Sequence, residues 1–172
     1  NGCYRTRTIA ITASNSATIE NVQVVDLSSE NSVTVLVSGL GDYEYSIDNE
    51  NWQTSNTFNN IEAGVYTVYV KDENGCGIAT KEISVLGIPK FFTPNGDGYN
   101  DFWNIKGINA NFNTKTTIHI FDRYGKLIKQ LSPLSQGWDG TFSGVEMPSS
   151  DYWYSIQLED ERILKGHFSL IR

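Results

Sequence analysis

The 172-residue sequence predicts an all-β protein of two tandem sandwiches. Three observations lead there. Aromatic residues make up 12% of the chain and glycine fills 15 positions beside a single methionine, the composition of β-branched and aromatic strands punctuated by turns. Nowhere do apolar residues hold the i, i+3, i+4, i+7 spacing over three turns, so no amphipathic helix is expected for a membrane or a partner's groove. The string Asn1-Gly2-Cys3, followed by Ile9 and Ile11, returns as Asn74-Gly75-Cys76 followed by Ile83 and Val85, and the offset of 73 to 74 residues is the size of one small sandwich.

That echo makes residues 1–11 the last strand of a preceding repeat and residues 12–87 a complete one. Within the repeat, short strands over 19–25, 33–38, 43–47, 65–71 and 78–85 are separated by dense turn signals. Tyr66, Val68 and Val70 face inward against outward Thr67, Tyr69 and Lys71, and Asp72-Glu73-Asn74-Gly75 supplies a hairpin turn. Gly87-Ile88-Pro89 then breaks the pattern, which places a domain boundary at residue 88. Beyond it lie the apolar pair Phe91-Phe92 and strands over 117–122 and 127–131, which flank Arg123-Tyr124-Gly125-Lys126, a turn whose glycine takes the positive φ required. Tyr152, Tyr154, Ile156 and Leu158 alternate with Trp153, Ser155, Gln157 and Glu159, and after Asp160-Glu161 the chain returns over 163–171. A tyrosine, Tyr66 or Tyr152, opens each penultimate strand. The class expected is all-β: two tandem immunoglobulin-like β-sandwich domains of seven strands each, 12–87 and 88–172.

Composition excludes several functions. With 39% hydrophobic and 19% charged residues the chain is neither charge-rich and disordered nor an apolar membrane protein. A net charge of −7 repels phosphate backbones, which argues against nucleic acid as a partner. No apolar run approaches the roughly 20 residues that span a bilayer, so no membrane insertion is expected, and the opening residues lack the pattern of a secretory signal. Cys3 and Cys76 are too few for a disulfide scaffold and lack zinc-site spacing. His119 and His167 read as solvent-side strand residues, and no G-x-S-x-G, P-loop or H-E-x-x-H stretch accompanies them, so no enzyme and no catalytic residue is expected.

Two constellations have chemical character. In Thr93-Pro94-Asn95-Gly96-Asp97-Gly98-Tyr99-Asn100-Asp101, the oxygens of Asn95, Asp97, Asn100 and Asp101 crowd seven positions as a hard cation wants, although Tyr99 and the missing Glu rule out an EF-hand. The same residues make a tight turn through Asn-Gly and Asp-Gly, so calcium and turn both stand as readings, and no cofactor is required. The tryptophans Trp52, Trp103, Trp138 and Trp153 raise a sugar-stacking platform as a rival function. Trp103 and Trp138 are expected to pin loops to the core edge, while Trp153, alternating outward, is the exposed aromatic candidate.

Five ordered motifs resemble one family. Phe91-Phe92-Thr93-Pro94-Asn95-Gly96-Asp97-Gly98-Tyr99-Asn100-Asp101-Phe102-Trp103, Ile120-Phe121-Asp122-Arg123-Tyr124-Gly125-Lys126, Gly137-Trp138-Asp139-Gly140, Tyr152-Trp153-Tyr154 and Lys165-Gly166-His167-Phe168-Ser169-Leu170-Ile171-Arg172 are similar to the gliding-motility-associated type B C-terminal domain of the Bacteroidota. Upstream, Tyr43-Glu44-Tyr45-Ser46-Ile47-Asp48, Trp52-Gln53, Ala63-Gly64-Val65-Tyr66-Thr67-Val68 and Asp72-Glu73-Asn74-Gly75-Cys76 resemble SprB-like adhesin repeats. The resemblances imply that residues 88–172 are a folded export signal read by the type IX secretion system and that residues 12–87 are stalk of a large cell-surface adhesin. They imply as partners the outer-membrane translocon of that system with its shuttle or anchoring proteins. The location implied is extracellular, on the surface of a Gram-negative bacterium, with a separate export signal at the cargo's distant start. The isolated fragment is expected to be monomeric. Along the last strand, Phe168 and Leu170 should face the core, leaving Lys165, His167, Ser169, Ile171 and Arg172 as candidates for translocon recognition, with Ile171-Arg172 a strand end of few core contacts. SprB-like repeats often carry a second cysteine where Asp26-Leu27-Ser28 stands here.

Cys3 and Cys76 occupy equivalent positions one repeat apart, and repeats stacked end to end should hold them beyond the roughly 7 Å Cα separation a disulfide tolerates. Intact-mass measurement after alkylation without reductant should therefore find both thiols modified; two unreactive thiols in denaturant would overturn this.

Overall fold

The computed structural model describes residues 5–7 and 13–172. The strand expected over 1–11, with Cys3, Ile9 and Ile11, falls largely outside the described residues. Those described form thirteen strands and no helix, so the chain is all-β. The described residues divide into two compact units, one of residues 13–23, 34–58 and 67–82, the other of residues 24–33, 59–66 and 83–172.

Strands β1 (Thr18–Val25), β2 (Ser32–Ser38) and β4 (Thr57–Asn59) pair in one sheet, and β3 (Tyr43–Ser46), β5 (Gly64–Asp72) and β6 (Ile78–Val85) in another. Period-two alternation decides which side chains turn inward. Val68 and Val70 on β5 are buried, and Val35, Tyr45 and Phe58 are buried with them in the first unit. The same parity buries Asp72, whose carboxylate accepts the Ser14 hydroxyl (2.6 Å) and the Cys76 N–H (3.1 Å); the Ser14 bond above all holds its carboxyl below the ordinary carboxylate range. The turn expected at 72–75 closes with Gly75 N–H donating to the Asp72 carbonyl, Gly75 at φ 82°.

The second unit is organised on a five-stranded sheet. Its strands are β7 (Phe91–Phe92), β8 (Thr117–Phe121), β9 (Leu127–Leu131), β12 (Ser150–Gln157) and β13 (Ile163–Leu170), in the order β7-β13-β12-β8-β9. All pair antiparallel except β7, which runs parallel to β13. A two-stranded hairpin, β10 (Thr141–Phe142) and β11 (Val145–Glu146), turns through Ser143 (φ 52°) and Gly144 (φ 79°), the two positive φ values that a primed hairpin turn uses. Sequence reading misses β4, β10 and β11 because two or three residues cannot display an alternation.

Both penultimate strands begin with the same device. The Tyr66 hydroxyl donates to the Glu62 carbonyl (2.8 Å), and the Tyr152 hydroxyl donates to the Pro148 carbonyl (2.9 Å), each four residues upstream. These are tyrosine corners of the kind that close immunoglobulin-like sandwiches.

The core of the second unit corrects one expectation. Trp103 and Trp138 do not pin loops at its edge; both are 0% exposed and sit at its centre. Each donates its backbone N–H to the other's carbonyl at 2.9 Å, while the indole N–H groups reach the carbonyls of Pro89 (2.9 Å) and Thr141 (2.7 Å). Every polar atom of the pair's indoles is thereby satisfied, which is what lets rings of this size be buried. Phe168 stacks on Trp103 at 3.9 Å and 13°, Tyr152 meets Trp138 edge-on at 4.9 Å, and Phe92 lies 5.5 Å from Trp138. The break read at Gly87-Ile88-Pro89 is bonded on both flanks: Leu86 exchanges hydrogen bonds with Asp26 and Leu27, and Gly87 with Lys106.

Phe168→Ala removes a ring at the centre of this cluster and should cost about 3 to 5 kcal/mol of stability. Gly137 precedes Trp138 at φ 120°, and a Cβ there would stand 2.6 Å from the Trp103 carbonyl oxygen, so Gly137→Ala should cost about 1 to 3 kcal/mol by prising the tryptophan bridge apart. Urea denaturation of both variants is the measurement; parent-like midpoints would show that the bridge is not a keystone.

Candidate functional site

The last strand separates folding residues from displayed ones. Phe168 and Leu170 are each 1% exposed, whereas Lys165, His167 and Ile171 are open to solvent. Strand parity alone produces that division. Ser169 points outward but is not free, since its hydroxyl donates to Asp151 Oδ1 (2.6 Å) and its N–H to the Lys90 carbonyl (2.9 Å). It fastens β13 to β12 and to the residue just before β7.

Arg172 departs further from the expectation. The strand end is tied, with Ile171 N–H donating to the Phe92 carbonyl (3.1 Å) and Arg172 N–H to the Ser149 hydroxyl (3.0 Å). The guanidinium donates through Nη2 to the Gly140 carbonyl (3.1 Å) and through Nε to the Met147 carbonyl (3.3 Å), and Nη1 lies 3.2 Å from the Glu146 carboxylate. Three contacts of one planar fork thus clamp the β10–β11 hairpin to the end of β13. A chain end rich in polar residues gave no sign of this, because the acceptors are carbonyls more than twenty residues away.

Trp153 is 41% exposed, as its alternation against Tyr152 and Tyr154 requires, and its ring centroid lies 6.2 Å from that of His167 on β13. With Trp103 and Trp138 enclosed, the second unit offers a sugar no platform through them. His119 is half-buried on β8, with its ring 6.4 Å from Phe121.

In the loop from Thr93 the side chains of Asn95 and Asp97 bond each other, while Asp101 bonds the loop's backbone. Asp101 accepts the Gly96 N–H on Oδ1 (2.6 Å) and the Gly98 N–H on Oδ2 (2.8 Å). Asp97 accepts the Tyr99 N–H (2.7 Å) and the Asn95 amide (2.8 Å); the Tyr99 bond and then the Asn95 bond hold its carboxyl below the ordinary range. Asn100, at φ 51°, contributes its carbonyl to the Thr93 N–H (2.8 Å). These bonds are those of a self-closed turn. Among the described residues no three His, Cys, Asp or Glu side chains gather as a metal site would.

Against this geometry the comparison with known families is specific. Residues 86–170 match the CHU_C type IX secretion signal domain family. The signal-domain match supports a secretion-sorting role for that segment, carried out with the type IX machinery, in a secreted or cell-surface protein. That family is non-catalytic. No curated protein matches the chain. Among solved structures, the chain is similar to dimeric latent PorU from Porphyromonas gingivalis at 14% identity and a TM-score of 0.32, covering 90% of this chain and 20% of that one. It is also similar to Tp47, the 47-kilodalton lipoprotein of Treponema pallidum, at 11% identity and a TM-score of 0.31, covering 96% of this chain and 53% of that one. It therefore spans between a fifth and about half of the length of these chains. No helix among the described residues is long and apolar enough to cross a membrane.

Arg172→Met keeps the stem and removes the fork. It should lower stability by about 1 to 3 kcal/mol, the size expected for hydrogen bonds from a charged donor. Thermal melts of the variant and the parent decide this, and equal melting temperatures would return Arg172 to a purely displayed role.

Proposed function

We propose that residues 88–172 are the sorting signal by which a large adhesin leaves the cell through the type IX secretion system, and that residues 12–87 are one SprB-like, immunoglobulin-like repeat of its stalk. The observation that carries this reading is a coincidence of boundaries. The signal-domain match runs over residues 86–170, and the fully buried members of the cluster from Leu86 to Leu170 come from those same residues, with Leu27 packed against them from outside the match. A signal that must be read after folding has to be such a closed core with an exposed face. The face invoked here is the outward side of β13, where Lys165, His167 and Ile171 meet the outer-membrane translocon or its shuttle and anchoring proteins, while Ser169 and Arg172 hold that edge in place.

The protein is, on this reading, a non-enzymatic component of the gliding surface of a Bacteroidota cell, displayed outside the outer membrane. Its task is to present a shape, so no cofactor enters.

A fluorescent passenger bearing an inner-membrane signal, joined ahead of the full chain, tests the reading in a strain with a working type IX system. Fluorescence should reach the medium or the cell surface, and removal of residues 88–172 should trap it in the periplasm. Passenger retained with the chain intact, or exported without residues 88–172, would overturn the proposal.

A further inference from the structure

Four side chains on four neighbouring strands of the second unit's sheet fall in one transverse row. Trp153 on β12 is the register partner of His167 on β13 and of Phe121 on β8, and Phe121 is the partner of Leu127 on β9. All four lie on the face opposite the core. Trp153 is 41% exposed and Leu127 47%, His167 is exposed and Phe121 half-buried. Exposed apolar residues scattered singly need no explanation, but here Trp153, Phe121 and Leu127 lie side by side with the His167 ring next to Trp153. A shallow cleft of about 480 Å³ opens on this band between Phe121 and Trp153, with Arg123 and Lys165 at its rim.

Two cations, Arg123 and Lys165, and one carboxylate, Asp122, line the cleft. Residues 86–172 carry nine Lys and Arg against nine Asp and Glu, so the chain's −7 resides in residues 1–85, with four against eleven. Neither Arg123 nor Lys165 takes part in an ion pair among the described residues. The carboxylate in the cleft lining, Asp122, already accepts the N–H groups of Tyr124 and Lys126, each at 2.9 Å.

We infer that this face docks an extended acidic segment of a protein of the export machinery, seating an apolar side chain on Trp153 and carboxylates on Arg123 and Lys165. The identity of the partner rests on the sorting function proposed above; its chemistry rests on the cleft. Sugar hydroxyls are met best by side chains that donate and accept together, as Asn and Gln do, and the lining holds neither.

The probe is the peptide acetyl-Glu-Phe-Glu-Phe-Glu-amide, titrated into the isotope-labelled full chain and followed by amide chemical shifts. Shifts should concentrate on β8, β12, β13 and the 122–125 turn, and affinity should fall several-fold between about 50 mM and about 300 mM salt. Arg123→Glu with Lys165→Glu, and separately Trp153→Thr, should each weaken binding about tenfold at unchanged melting temperature. The neutral pair Arg123→Gln and Lys165→Gln should lie between. Equal binding of the Lys-for-Glu peptide, shifts mapping to another face, or tighter binding of a dT oligomer or an oligosaccharide would overturn the inference. In the passenger assay, normal export by the charge-reversed chain overturns the docking surface and leaves the sorting function standing. Failure of the parent chain to export overturns the sorting function, and with it the partner named here, whatever the peptide does.

Discussion

The second unit depends on one contact between distant pieces of chain, the reciprocal backbone bridge of Trp103 and Trp138. Neither residue lies in a named strand: Trp103 follows the Gly-, Asp- and Asn-rich loop of residues 95–101, and Trp138 stands between Gly137 and Asp139-Gly140. Joined, they place two indoles against the inner face of the sheet, where Phe168, Tyr152 and Phe92 close around them. Rings of this size bring the largest apolar burial any side chain offers, and their N–H groups must be met by carbonyls or the burial is unfavourable. The Pro89 and Thr141 carbonyls meet them. Residues before β7 and at the start of β10 are thereby held to the core as well, which explains how a sheet facing so few long strands encloses a core.

Much of this was legible from alternation. Strands with six or more residues of period-two pattern fall where the sequence places them, because inward and outward positions alternate with the pleat whatever the tertiary context. The hairpin turns at Asp72–Gly75 and Arg123–Lys126 were equally readable, since a positive φ is a local demand that glycine meets. What the sequence could not convey was pairing at a distance. Trp103, between Phe102 and Asn104, and Trp138, before Asp139 and Gly140, look like loop residues until each is seen as the other's partner. Arg172 is a similar case, its acceptors being the carbonyls of Gly140 and Met147.

The candidate site divides the same way. That Lys165, His167 and Trp153 point outward follows from parity alone. That His167, Trp153, Phe121 and Leu127 share one row follows from the registers of three strand pairs, of which β8–β9 carries the bulge between Ile120 and Phe121. A shift of one residue in any of them would send one member of the row into the core. The bulge is informative on that point. It lets Phe121 face Leu127 rather than Ile128, which is buried, so the outward row continues onto the edge strand.

A folded signal faces two requirements that pull on the same residues: it must survive as a compact domain, and it must show something to its reader. The last strand meets both through alternation, with Phe168 and Leu170 inside and Lys165 and His167 outside. The two sets are not independent. The inner side of β13 is held by the tryptophan stack, and the outer side is held in register by Ser169 on Asp151 and Lys90. A change at Phe168 therefore alters the displayed face by loosening the strand that carries it, whereas a change at Lys165 alters the face and leaves the strand in place. A motif that gathers all of these residues within eight positions is, in physical terms, two superposed patterns of period two, one turned to the core and one to solvent.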